Sequence, residues 1–541
     1  MWQIRARASG MPWIRRLRAR WRRSPHSRLH RLGRVLAAVA FVLVCHVGGT
    51  VATDTFPVQV DTDHYSMRAS LDLAPWRWSQ LRAFTTVGDV TLDFRTVLPT
   101  PGVEVSPQIK KSILGSVGGG FSTSSLVPDP SEIRDAGVEA VVGLLVTYIV
   151  GASVAAAIAL LATHTHWTQH RRRALLGGGC AVLVALVYTA GSAVATYRPS
   201  RVGTYSSTQL LALLQSSPQV LTNIEKRAGQ VEPYITNWLE LQQALQEQFV
   251  APEVAKADTV RFLLVSDIHG TNEYKTMKTI VKNEDITAVI DTGDLLNFGR
   301  VDEAELAGIF TGIASLKVPY IFVTGNHDAS SPNDPRPLLT RLAQVRNVIL
   351  PEPAIGDYRV VSIAGVRIAG MDDPRYFGDS NTDPSAVEAP AADKFDAALK
   401  DVPDLDIALA HEPTATEKID VGALRIHGHL HRATLDGNVI GVGSFTGGGL
   451  VSYYRNSIAE GDAEPTGQPQ EFDILRYNAD CSVNSLQRFT YSDLLEGSPR
   501  YDRISIINGA SLPGPKPAEG RRCVTTEPTK DMTVAEAINT G

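Results

Sequence analysis

The sequence predicts an α/β fold class: an α/β domain in the second half of the chain, preceded by transmembrane helices and a small β-rich external module. Three observations predict it. Apolar runs that end in short polar blocks rich in Asp and His recur five times between Phe262 and His431. Three apolar stretches long enough for a bilayer lie ahead of them, at 35–52, 140–162 and 174–197. Segments such as DVTLDF and RTVLP, punctuated by Gly and Pro, occupy 54–135 and read as short strands and turns. The 541 residues leave room for all of these parts.

Residues 1–34 hold 11 Arg and no acidic residue, the composition of a cytoplasmic flank beside a span. Val35–Ala52 is an apolar stretch of 18 residues, enough at about 1.5 Å per residue to cross a hydrocarbon core of about 30 Å. It reads either as a spanning helix or signal anchor, or as a long signal peptide cut near Ala52; both export the chain beyond it. The stretches at 140–162 and 174–197 contain no Lys, Arg, Asp or Glu and read as two further spans. Arg171, Arg172 and Arg173 lie between them, which marks that loop as cytoplasmic. The expected topology is a multi-pass cell-membrane protein with three spans, a cytoplasmic amino terminus and an extracytoplasmic catalytic domain. The lipid bilayer is thus one expected partner.

The chain carries a net charge of −5, and with +11 in the first 34 residues the remainder amounts to −16. No basic face for nucleic acid is expected, and the terminal arginines fit anionic lipid and topology roles. Cys45 and Cys180 fall inside spans, whereas Cys481 and Cys523 stand in the exported part; they form either a disulfide or two separate thiols. Residues 205–255 read as a helical connector, with Ile235, Trp238, Leu241, Leu245 and Phe249 on one stripe. Residues 451–541 read as a C-terminal extension, Pro- and Gly-rich around 509–520.

The five blocks are SDIHG at 266–270, GDLLN at 293–297, GNHD at 325–328, His411, and HGHLH at 427–431. Each follows an apolar run that reads as a buried strand, so the polar residues sit where strands become loops, the edge at which open α/β sheets bind ligands. An extended local chain would put Asp267 with His269, and His429 with His431, on one face each. Asp carboxylates, His imidazoles and one Asn amide suit Mn, Fe or Zn rather than calcium. Two such ions about 3.5–4 Å apart need a bridging carboxylate. Asp294 is the candidate, since Gly293 lets the chain turn tightly beside it. A water or hydroxide bridging the ions is then the nucleophile.

Together, in this order, the blocks resemble the calcineurin-like metallophosphoesterases over residues 258–450. The resemblance implies a four-layer α/β/β/α sandwich. It implies two divalent metal ions, one held by Asp267, His269, Asp294 and His431 and the other by Asp294, Asn326, His411 and His429. It makes His327 the general acid beside the phosphate. Asn297 departs from the Asp that orients the catalytic His in several phosphatases of this kind, and GDLLNFGR followed by GNHD looks more like the phosphodiesterase branch. The expected function is hydrolysis of a phosphate ester, first a phosphodiester, with monoester or pyrophosphate hydrolysis and a non-catalytic envelope sensor or scaffold as alternatives. A metallonuclease is disfavoured because no cationic run follows residue 200.

Other polar residues near the blocks have competing readings. His411 alone could be a packed histidine, and His427 is one more than the metal set needs. Asp328, Asp372, Asp373 and Arg375 either meet substrate or stabilise turns through Asp side chains.

Overall fold

The structure is a computed structural model that describes residues 25–62, 65–85, 88–96, 98–109, 130–162, 167–208, 260–331, 336–377, 383–449, 468–492, 500–514 and 517–539. The chain divides into two compact units. The first comprises Met1–Gln80, Thr96–Lys110 and Asp129–Thr196, and the second Leu81–Arg95, Lys111–Pro128 and Tyr197–Gly541.

The first unit contains helices Pro25–Thr55, Pro130–Ala162 and Trp167–Thr196. Within them Val35–Thr55, Arg134–Ala162 and Ala174–Thr196 are long and apolar enough to cross a membrane. Their outward faces carry large apolar side chains such as Leu36, Leu43, Val146, Ile158 and Val187, while Cys45, Ala152, Ala156 and Ala185 are buried between them. Small residues inside and large ones outside is the pattern of helices that pack in lipid, where close backbone approach replaces the hydrophobic driving force. His46 Nδ1 meets Tyr148 Oη at 2.9 Å and Thr189 Oγ1 at 3.0 Å, so one polar group of each helix is satisfied at the centre. Strand Tyr65–Asp72 pairs antiparallel with Val58–Asp61 and with Gly102–Ile109.

The second unit holds two sheets. Val260–Val265, Ala288–Asp291, Tyr320–Phe322 and Val348–Ile349 run parallel. On the other side of Val260–Val265 the antiparallel strands Gln470–Tyr477, Val483–Ser492, Arg500–Asn508, Val202–Thr208 and Gly88–Phe94 extend the sheet. The second sheet has Val366–Gly370, Ile407–Leu409, Leu424–His427 and Val439–Gly441 in parallel, edged by Thr434–Asp436 on one side and by Arg359–Ile363 and Lys530–Thr533 on the other.

Period-two alternation partitions the first sheet. Phe262, Leu264, Ile290 and Ile321 share a core with Val361, Ile368, Leu409 and Ile426 of the second sheet. The intervening Leu263, Val265, Val289 and Phe322 pack with Met277 and Ile280 of helix Tyr274–Asn283. On the second sheet, Val360, Ala369 and Ala408 pack with Phe395 and Leu399 of helix Pro384–Leu399. Each buried Leu, Ile or Phe stabilises by about 1.5–3 kcal/mol.

Several expected boundaries differ. The described residues of the expected C-terminal extension are built into the sheets: three of their strands continue the first sheet and Lys530–Thr533 edges the second. The described part of the 54–135 segment is β-rich but divided, with Leu81–Arg95 belonging to the second unit through the pairing of Gly88–Phe94 with Val202–Thr208. The strand Val202–Thr208 also replaces the start of the expected connector, whose helical stripe lies outside the described residues. Cys481 and Cys523 form a disulfide, and the Pro- and Gly-rich segment ends at Arg521, paired to Asp406 at 2.6 Å.

Candidate metal centre

All the blocks lie at the carboxyl ends of parallel strands. Asp267 and His269 follow Val260–Val265, Asp294 follows Ala288–Asp291, and Asn326 and His327 follow Tyr320–Phe322. From the second sheet, His411 follows Ile407–Leu409, and His429 and His431 follow Leu424–His427. The local chain is not extended as the two-residue spacing suggested. Asp267, His269, Asp294, His429 and His431 have φ of 52°, 48°, 57°, 68° and 53°, a left-handed region that costs a non-glycine residue about 1–3 kcal/mol. Fold-wide packing holds five candidate ligands in strained conformations, and His429 and His431 consequently reach different donor groups.

Asp267, His269, Asp294 and His431 present donor atoms within 4.8 Å of one another, as do Asp294, His411 and His429. Asp294 belongs to both groups. Its Oδ2 lies 3.3 Å from His411 Nε2 and 3.8 Å from His269 Nε2, while its Oδ1 accepts from His327 N at 2.9 Å. His269 and His431 turn Nε2 toward each other at 3.0 Å, and His429 Nδ1 faces His411 Nε2 at 3.2 Å. Donors about 2.1 Å from a tetrahedral ion lie about 3.4 Å apart, so these spacings fit divalent ions. Asp267 Oδ1 and Asn326 Oδ1 are buried and accept no hydrogen bond. A buried acceptor without a donor is costly, and a cation would satisfy both.

Neighbouring groups set the tautomers. His411 Nδ1 donates to Thr292 O at 2.8 Å and His431 Nδ1 to Gln468 Oε1 at 2.7 Å, which turns Nε2 of each ring toward the centre. His429 Nε2 lies 3.2 Å from Glu412 Oε2, leaving Nδ1 for the centre. Burial pushes the His269 imidazole down to about 4, so it is neutral near pH 7. Burial alone would raise the Asp294 carboxyl, but the charge and hydrogen bond of His411 hold it well below the usual carboxylate range.

Two of the glycines that directly precede candidate ligands are sterically required by the packing of their loops. A Cβ on Gly325 would stand 2.3 Å from Asp294 Oδ1, and one on Gly293, at φ 107°, would stand 2.5 Å from Gly325 N. The two loops pack backbone to backbone.

His327 is half-buried, its ring centroid 5.0 Å from that of His269. Its Nδ1 donates to the backbone carbonyl of Asn297 at 2.7 Å. The Asn297 side chain instead donates to His269 O at 2.8 Å and to Glu303 Oε1 at 3.2 Å. The side chain expected to orient His327 thus leaves that task to its own carbonyl. Asp328 accepts from the backbone N–H groups of Gly325, Asp294, Leu295 and Leu296, which ties the two loops together and leaves it 2% exposed. Arg375 is buried among Asp373, Glu388 and Glu412, so it positions Glu412 behind His429 and does not face substrate here. Asp372 accepts from Thr324 N and pairs with Arg336, and His427 is buried outside both donor groups. Glu412, Gln468 and Glu388 escaped the sequence reading. Glu412 adjoins His411 and could have been considered; Gln468 is far along the chain and carries no local signal.

Paired His and Asp clusters sharing one carboxylate, on the strand ends of two sheets, define a candidate dinuclear metal centre in an α/β domain. A family model described as calcineurin-like phosphoesterase matches residues 260–433, and this chain carries a calcineurin-like metallophosphoesterase domain. Among solved structures, a dimetal phosphatase from Danio rerio is 13% identical with a TM-score of 0.30, covering 47% of this chain and 100% of that one. GAP50, the anchor in the inner membrane complex of Plasmodium, is 12% identical with a TM-score of 0.31, covering 47% and 89%. Purple acid phosphatase PPD1 from yellow lupin is 15% identical with a TM-score of 0.28, covering 46% and 54%. No curated protein matches the chain.

Proposed function

We propose that this protein is a membrane-anchored hydrolase of phosphate esters, first of phosphodiesters. Asp267, His269, Asp294 and His431 would hold one divalent ion and Asp294, Asn326, His411 and His429 a second, of Mn, Fe or Zn. The observation that carries this reading is Asp294, common to both donor groups. When bound, the ions supply Lewis-acid polarisation of the phosphoryl oxygens and a nucleophile from water. His327, carried by the Asn297 carbonyl at Nδ1, presents Nε2 to protonate the departing oxygen.

Three cores, one between the sheets and one between each sheet and its helices, support a four-layer α/β/β/α arrangement. Three apolar helices, the arginines of the first 34 residues and a disulfide in the catalytic unit support an extracytoplasmic site anchored in the cell membrane. The diester reading rests on the GDLLNFGR and GNHD blocks.

The test uses the full chain in detergent, because Leu81–Arg95 belongs to the catalytic unit and a fragment starting at residue 200 would lack it. Loaded with Mn, the protein should hydrolyse an aryl phosphodiester faster than the matching monoester, and His327→Gln should lower kcat by about 10²–10⁴ with unchanged metal content. Monoester preference would reassign the substrate. Bound metal without turnover of either ester, or of a pyrophosphate, would favour a sensor or scaffold.

A further inference from the structure

Two aromatic side chains stand beside His327. Phe298 and Phe377 meet edge to face with ring centroids 5.1 Å apart, and Phe377 lies 5.5 Å from the His327 ring. The two rings remain 46% and 38% exposed. Single exposed hydrophobic residues are common on protein surfaces, but this pair is fixed from behind. Phe298 N donates to Glu303 Oε2 at 3.0 Å, and Phe377 N donates to Ala329 O at 2.8 Å. Next to Phe298, Gly299 packs so closely that a Cβ would stand 2.6 Å from the Ala329 carbonyl carbon. Aromatic rings on fixed backbone lose little conformational freedom when covered, which is how anchoring residues of binding surfaces behave.

We infer that Phe298 and Phe377 form an apolar wall on the leaving-group side of the centre, and that the substrate carries a flat or hydrocarbon body on its departing oxygen. The inference rests on the proposed role of His327: a proton donor faces the departing oxygen, and Phe377 adjoins that donor. In the reaction water adds its oxygen to phosphorus and the P–O bond to the apolar group breaks; that group leaves with the proton from His327, and the proton released by the water restores His327. The wall makes no bond; it selects the group that leaves. A nucleobase-bearing group and a lipid chain share this chemistry.

The experiment uses the full-length protein in detergent, loaded with Mn. It compares 1-naphthyl and phenyl phosphodiesters, whose leaving groups are similar in acidity, and measures binding of naphthylmethylphosphonate against methylphosphonate by calorimetry. In the double variant Phe298→Ala/Phe377→Ala, the ratio of naphthyl to phenyl kcat/KM and the preference for the larger phosphonate should each fall about tenfold. Metal content should match the parent, and Leu306→Ala, at a residue 90% exposed, should keep both ratios. Unchanged ratios, or equal losses on both esters, would overturn the wall. Phosphonate binding needs no turnover, so a parent that hydrolyses nothing but loses this preference in the variant sustains the wall while the hydrolase reading fails. A nucleoside phosphodiester and a phosphatidyl ester in micelles, used as competitors, separate the sources: the one whose inhibition weakens in the variant is the class selected, and weakening of neither contradicts the inference.

Discussion

Arg375→Met removes the charge that positions one side of the proposed centre. Arg375 is 6% exposed; its Nη2 lies 2.6 Å from Glu412 Oε2 and 2.9 Å from Asp373 Oδ2, and its Nε lies 3.1 Å from Glu388 Oε1. Glu412 in turn stands 3.2 Å from His429 Nε2. Methionine keeps much of the volume and leaves three carboxyl groups together at 2%, 1% and 6% exposure for Asp373, Glu388 and Glu412. Burial, then the charge and hydrogen bond of Asp373, already push Glu388 up to about 9, so it is neutral at pH 7 and two carboxylates lose their partner. Removing one member of a buried ion pair costs about 3–5 kcal/mol. Loss of the group that orients a ligating His weakens metal binding by about 10–100-fold. Chemical denaturation of the full chain in detergent at pH 7, with a Mn titration followed by elemental analysis, reads both effects. Expected are a stability loss of that size and a single retained ion at a Mn concentration that saturates the parent. Parental stability and metal affinity, with the defect confined to KM, would refute the positioning role and return Arg375 to substrate binding.

Three further outcomes are expected. Glu388 is raised from 4.5 to about 9, so the fold favours its neutral form; stability is untouched below pH 4.5 and is lost as pH rises toward 9. Glu388→Gln, which mimics the neutral acid, should match the parent at pH 5 and exceed it by roughly 3–5 kcal/mol at pH 8, and coincident thermal profiles at both pH values would contradict this. Asn297→Asp places a carboxylate against Glu303 Oε1 and His269 O, so kcat/KM should fall about tenfold rather than improve toward the Asp-bearing phosphatases; steady-state kinetics decides. Reducing the Cys481–Cys523 bridge, which spans 42 residues, should lower the unfolding free energy by about 4 kcal/mol, read from denaturation with and without reductant.

The candidate site was legible in the sequence where its chemistry is local. Asp267, Asp294, Asn326, His411 and His431 each stand just beyond an apolar strand, and strand ends are where rigid scaffolds present ligands. Their backbone was not legible. Spacing suggested extended chain, yet the left-handed φ of five candidate ligands is imposed by packing from both sheets. The roles of Asp328 and Arg375 were equally hidden, because an Asp in a loop looks the same whether it faces substrate or gathers four backbone N–H groups. Sheet membership depended on distant pairing: nothing near Gln470 or Gly88 announces that these segments join the sheet of Val260–Val265.

The central claim is a pair of ions sharing Asp294, and the most direct measurement is Mn stoichiometry with electron paramagnetic resonance of the full-length protein. Two ions per chain with the signature of an exchange-coupled pair are expected, with coupling lost and no more than one ion retained in Asp294→Asn. One ion per chain in the parent, or two uncoupled ions indifferent to Asp294→Asn, would contradict it.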